Sequence, residues 1–153
     1  MLKRHKVLFN QLKSYREELL SLVSDVSEKE ADITPKGFNN SIRWNLGHVY
    51  LDQYMWIKVL TKDNLYPDHY NGWFGFGTSP NDFSAETPSF SHLKQLLSEQ
   101  TQKIIDLYGN RLEEKFPPTE MGMFTIEQAL IRTIFHEGMH IQAINDLKKF
   151  IRY

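Results

Sequence analysis

The chain has 153 residues, 41% of them hydrophobic and 13% aromatic, which is enough to close one core and too apolar for a disordered segment. Its 18 basic and 19 acidic residues leave a formal net charge of -1, without the basic stripe that nucleic acid or an anionic membrane would require. It contains no cysteine, so disulfides, thiolate metal sites and a cysteine nucleophile are all excluded, and any metal must be held by imidazole or carboxylate.

In chain order, residues 3–25 place Leu8, Phe9, Leu12, Tyr15, Leu19, Leu22 and Val23 at steps of three and four, with polar residues between, which predicts an amphipathic first helix. The basic run Lys3-Arg4-His5-Lys6 is followed by only three apolar residues, short of a signal peptide, and no stretch approaches the ~20 apolar residues of a membrane span. The expected location is the cytoplasm. Ser27 can cap a short extra turn over Glu28-Lys29-Glu30, before Pro35-Lys36-Gly37 ends regular structure.

A second long helix is predicted from Ser41, through Trp44, Leu46, His48, Val49, Leu51, Tyr54, Met55, Trp56 and Val59. It lacks a wide polar face, so it is expected to be buried among other helices or to cover a dimer interface. From Lys62 to Thr87 the pattern breaks at Pro67, Gly72, Gly75, Gly77 and Pro80, while Tyr66, Tyr70, Trp73, Phe74, Phe76 and Phe83 fill the stretch with aromatics. A long aromatic-rich loop, packed over the bundle or against a second subunit, is the expectation.

The third helix begins near Ser89 and runs to Gly109-Asn110; the last begins at Thr125, where Gln128 completes a capping box, and runs to about Phe150. Four helices, no alternating strand pattern and no repeat predict an all-α, antiparallel four-helix bundle forming a single domain over residues 1–153. The long middle loop permits a crossover between helices two and three.

In the last helix Ile126, Ala129, Thr133, His136, His140, Ala143 and Leu147 form the inward stripe. His136 and His140 leave one face about one turn, ~6 Å, apart, so two imidazoles can meet at one ion. His48, inside the buried second helix, is the natural third ligand. Chance alone gives roughly 0.2 such pairs in this composition, and buried histidines can also be core residues bonded to a carbonyl or carboxylate. The combination favours a metal, because burying three imidazoles without a common partner costs desolvation at each. His5, His69 and His92 are expected to be solvated, with His5 a reserve ligand because it shares the heptad of Leu12 and Leu19.

His136-Glu137-Gly138-Met139-His140 also satisfies H-E-x-x-H, the metalloprotease signature, which chance yields only ~0.02 times here. The context disagrees: no third ligand follows in the remaining residues, whose one acid, Asp146, is on the same helix. The E-x-x-H of di-iron bundles needs a partner on another helix, and Asn45 stands where that glutamate would be. Glu137 itself could orient a ligand or a metal-bound water, act as general base of a hydrolase, or face solvent at the rim.

The segments Asn40-Ser41-Ile42-Arg43-Trp44-Asn45-Leu46-Gly47-His48-Val49 and Ile134-Phe135-His136-Glu137-Gly138-Met139-His140-Ile141-Gln142-Ala143-Ile144 resemble the two histidine motifs of the DinB-like superfamily. That resemblance implies a four-helix bundle with a divalent metal, commonly zinc or nickel, on His48, His136 and His140, with the remaining positions open to water. It further implies a metal that activates the sulfur of a low-molecular-weight thiol, as in the family's bacillithiol S-transferases and mycothiol-dependent isomerases, hence here a thiol S-transferase joining such a thiol to an electrophile, and a homodimer as the common assembly. The other readings are a non-catalytic metal-binding bundle, and a metal-dependent hydrolase that uses Glu137 as base.

Overall fold

Three of the four long helices start where a side chain takes their first free amides. In the computed structural model, which describes residues 1–153, the long helices are α1 (Lys3–Leu22), α3 (Ile42–Thr61), α5 (Phe90–Tyr108) and α6 (Ile126–Arg152). The Ser41 hydroxyl accepts from Trp44 N at 3.2 Å, and that of Ser89 from His92 N at 3.1 Å. At α6, Gln128 N donates to Thr125 Oγ1 (3.2 Å) while Thr125 N donates to Gln128 Oε1 (3.3 Å), the reciprocal cap that the sequence predicts. There are no strands.

Two short helices were only partly legible. The extra turn after Ser27 is α2 (Glu28–Ala31), and its Glu28 carboxylate reaches across to accept from Phe90 N (3.2 Å) and Ser91 N (2.8 Å) at the start of α5. The other, α4 (Asn71–Phe74), lies inside the segment expected to be loop, between 3-10 turns at Asp68–Tyr70 and Pro80–Asp82.

Around the bundle the order is α1, α5, α3, α6, with α1 packed on α5 and α6, and α3 on the same two. Chain directions follow from bonds between helix ends. At one end of the α3/α5 pair, Arg43 donates to the carbonyls of Thr87 (2.8 Å) and Pro88 (2.9 Å); at the other, Tyr108 Oη donates to Asp63 (2.8 Å). Those two helices therefore run parallel, and the connection between them crosses the full length of the bundle, the crossover that the long middle segment permits. Arg4 and Lys148 of the α1/α6 pair contact Glu127 and the Leu22 carbonyl, so these helices are also parallel, and the crossover makes the bundle mixed rather than antiparallel throughout as expected. Asn45 faces His140 while Gln53 faces Thr133, which makes α3 and α6 antiparallel.

Fifteen of the twenty residues of α3 are buried, as its all-round apolar pattern predicts. One cluster of 31 buried apolar residues joins the helices and the crossover segment. No helix is long and apolar enough to cross a membrane.

Candidate metal centre

Burying a polar side chain requires that each donor and acceptor find a partner, and the three inward histidines meet that requirement at only one nitrogen apiece. His48 Nδ1–H donates to the carbonyl of Phe74 at 2.6 Å, and His140 Nδ1–H to Asn45 Oδ1 at 2.7 Å. His136 Nδ1–H faces Asp52 Oδ2 at 3.0 Å. The Asn45 orientation is itself fixed, because its Nδ2 donates to the Ser41 carbonyl at 2.8 Å. Each acceptor places the imidazole proton on Nδ1, so each Nε2 carries a bare lone pair.

Those lone pairs point at one another. His136 Nε2 lies 3.1 Å from His48 Nε2 and 3.2 Å from His140 Nε2, and the three ligand atoms fall within 4.8 Å of each other. Two nitrogens ~2.1 Å from a shared tetrahedral ion are separated by about 3.2–3.4 Å. The donor set and its spacing are thus compatible with a divalent metal, whereas without a cation they set three lone pairs against each other.

Electrostatics keep two of these rings neutral. Burial is the main cause that pushes His136 down to about 3, helped by neighbouring His140, His48 and Arg132; burial and His48 push His140 down to about 4. Burial also raises Asp52, against the opposing pull of Arg132, which donates to Oδ2 at 3.1 Å. Trp56 Nε1 donates to the other Asp52 oxygen at 3.2 Å.

The crossover segment completes the surround. Phe74 packs so tightly on α3 that a Cβ on Gly47 would come within 2.2 Å of its ring, so glycine at 47 is what lets the Phe74 carbonyl reach His48. Trp44 stacks on the His48 ring (centroids 4.7 Å apart, planes 10° apart) and donates from Nε1 to Thr78 Oγ1 at 2.9 Å. Above the three histidines opens a cavity of about 1150 Å³, whose wall includes Thr78, Ser79, Asn81, Met139, Asn40 and Arg132. Phe76, counted among the aromatics of this segment, is fully exposed at 99%.

Of the roles left open for Glu137, the structure removes two. Glu137 is 3% exposed rather than solvated, and its two oxygens take Arg16 Nε and Nη2 at 2.7 and 3.2 Å. Arg16 also donates to the Leu97 carbonyl (2.8 Å), Gln100 Oε1 (3.0 Å) and Gln53 Oε1 (3.2 Å). A carboxylate bound on both oxygens within the core, and absent from the cavity wall, cannot collect a proton there, which removes Glu137 as general base of a hydrolase. His5 is likewise 4% exposed rather than solvated, but it sits by Glu113 and Glu127, separate from the three histidines. His69 and His92 are exposed as expected.

Sequence reasoning missed Asp52, Arg16 and the role of Asn45. Asp52 follows His48 by four and Asn45 precedes it by three, so both share its face. Arg16 and Glu137 stand at stripe positions, between Leu12 and Leu19 and between Thr133 and His140, where an isolated charge needs an opposite one across the core.

With this geometry in hand the class can be stated: an all-helical bundle with three converging histidines contributed by two of its helices. The family model of the DinB superfamily matches residues 11–144, and the chain belongs to that superfamily. No curated protein matches the chain.

Proposed function

We propose that the protein is a metal-dependent transferase joining a low-molecular-weight thiol to an electrophile, with a divalent ion, zinc or nickel, held by His48, His136 and His140. The observation that carries the proposal is the convergence of three unprotonated Nε2 atoms, each ring locked through Nδ1, beneath an open cavity. When bound, such an ion would lower the pKa of a coordinated thiol and so supply a thiolate that a chain without cysteine cannot provide from its own side chains.

The residues would divide the work. Phe74, Asn45 and Asp52 fix the tautomer and tilt of the three rings, Trp44 covers the His48 face, and the crossover segment limits water at the reacting centre. Three protein ligands, rather than the four of a structural ion, favour this reading over a non-catalytic bundle. A homodimer is part of the proposal: Ile131 and Phe135, one turn apart on α6, are 54% and 72% exposed, an apolar pair suited to a partner face and checked by sedimentation.

The test is a conjugation assay with a panel of thiols and chromogenic electrophiles, run on metal-loaded and chelator-stripped protein. Turnover that depends on the metal is expected. Its absence across the panel, with the metal bound, would overturn the proposal.

A further inference from the structure

Arg132 is the one arginine or lysine in the wall of the cavity above the histidines. Its Nη1 donates to Asp52 Oδ2 at 3.1 Å, and its guanidinium lies over the Trp56 ring at 4.9 Å. These two contacts restrict the side chain while leaving it 27% exposed. Nε and Nη2 donate to no protein group.

That free pair of donors is a planar fork whose spacing matches the two oxygens of a carboxylate. The core already holds one instance, since Arg16 takes Glu137 through the same two nitrogens, at 2.7 and 3.2 Å. Charge points the same way. Asp52 offsets Arg132 and an imidazole ligand adds no charge, so a divalent ion would leave two positive charges at the cavity floor, and a thiolate would offset one of them. The remaining carboxylate of the wall, Glu120, is exposed at its edge.

We propose that the cavity selects a thiol carrying a carboxylate, held on both oxygens by Nε and Nη2 of Arg132. This rests on the thiol-transferase reading and names the class of its substrate.

The test uses the cobalt(II)-loaded full chain, in which thiol binding gives a sulfur-to-metal charge-transfer band. 3-Mercaptopropionate is titrated against its uncharged amide, and against 2-mercaptoethanesulfonate as a tetrahedral anion. The carboxylate is expected to bind about ten-fold or more tightly than the amide, with the sulfonate between them. In R132Q, with cobalt content verified, acid and amide are expected within about two-fold of each other. R132K keeps a charge beside Asp52 without the fork and should lose most of the preference, so it serves if R132Q folds poorly.

Equal binding of acid and amide by the natural chain would overturn the carboxylate assignment. A preference that persists in R132Q or in R132K would also overturn it, by placing the carboxylate on the metal instead. Absence of a charge-transfer band with every thiol would strike at the thiol reading itself.

Discussion

Within five residues α6 carries two buried polar centres that have solved the burial problem in opposite ways. At Glu137 the solution is closed: both carboxylate oxygens are taken by Arg16, whose remaining donors go to Leu97, Gln100 and Gln53. At His136 and His140 it is half open, with Nδ1 satisfied and Nε2 aimed at a shared point under a cavity. One residue along a helix rotates a side chain by ~100°, so neighbours in H-E-x-x-H face different surroundings. Here the glutamate is closed within the core, and the histidines open onto the cavity.

The contrast can be broken from the closed side first. Arg16→Ala strands a buried carboxylate and is expected to cost about 3–5 kcal/mol in a urea unfolding measurement, while metal stoichiometry at the histidines is unchanged. Metal loss matching the stability loss would mean the two centres are one.

From the open side, Asp52→Asn removes the charge behind His136 and should weaken metal binding about 10–100-fold, read from a chelator-competition titration. Gly47→Ala comes next. Helix propensity alone would favour alanine by about 1 kcal/mol, but the clash with the Phe74 ring should reverse the sign and destabilise by about 1–3 kcal/mol. A stabilised Gly47→Ala protein would show that the Phe74 carbonyl does not depend on that close approach.

The smallest effect is the pH dependence of the metal-free chain. Burial holds His136 at about 3 and His140 at about 4, below the ordinary value of 6.5, so between those values the unfolded chain binds protons that the folded one refuses. Stability is then present above 6.5 and is lost as pH falls toward 4; raised Asp52 opposes this on the acid side with one group against two. The urea midpoint should fall between pH 7 and pH 5. An unchanged midpoint would mean the histidines are not buried neutral.

Much of this was legible in advance because helix caps and apolar periodicity are local signals. Ser41, Ser89 and Thr125 start helices where their hydroxyls predict, and His136 and His140 fall inward by spacing alone. What stayed hidden depends on contacts between distant segments. Asp52 read as one more polar residue of α3 until α6 was placed against it, and the Phe74 carbonyl has no side-chain signature at all. The place of Glu137 stayed open because exposure depends on whether another helix supplies a partner, and Arg16 lies 121 residues away. The α4 helix was missed because four residues among glycines carry too little periodicity to register.

The central claim is tested most directly by the metal content of protein purified without an affinity tag, compared with His48→Ala, His136→Ala and His140→Ala. The account predicts about one equivalent of divalent metal per chain in the natural sequence and its loss in all three variants, each still folded. Stoichiometric metal that survives removal of any of these imidazoles, or a natural chain that takes up none when zinc or nickel is supplied, would contradict it.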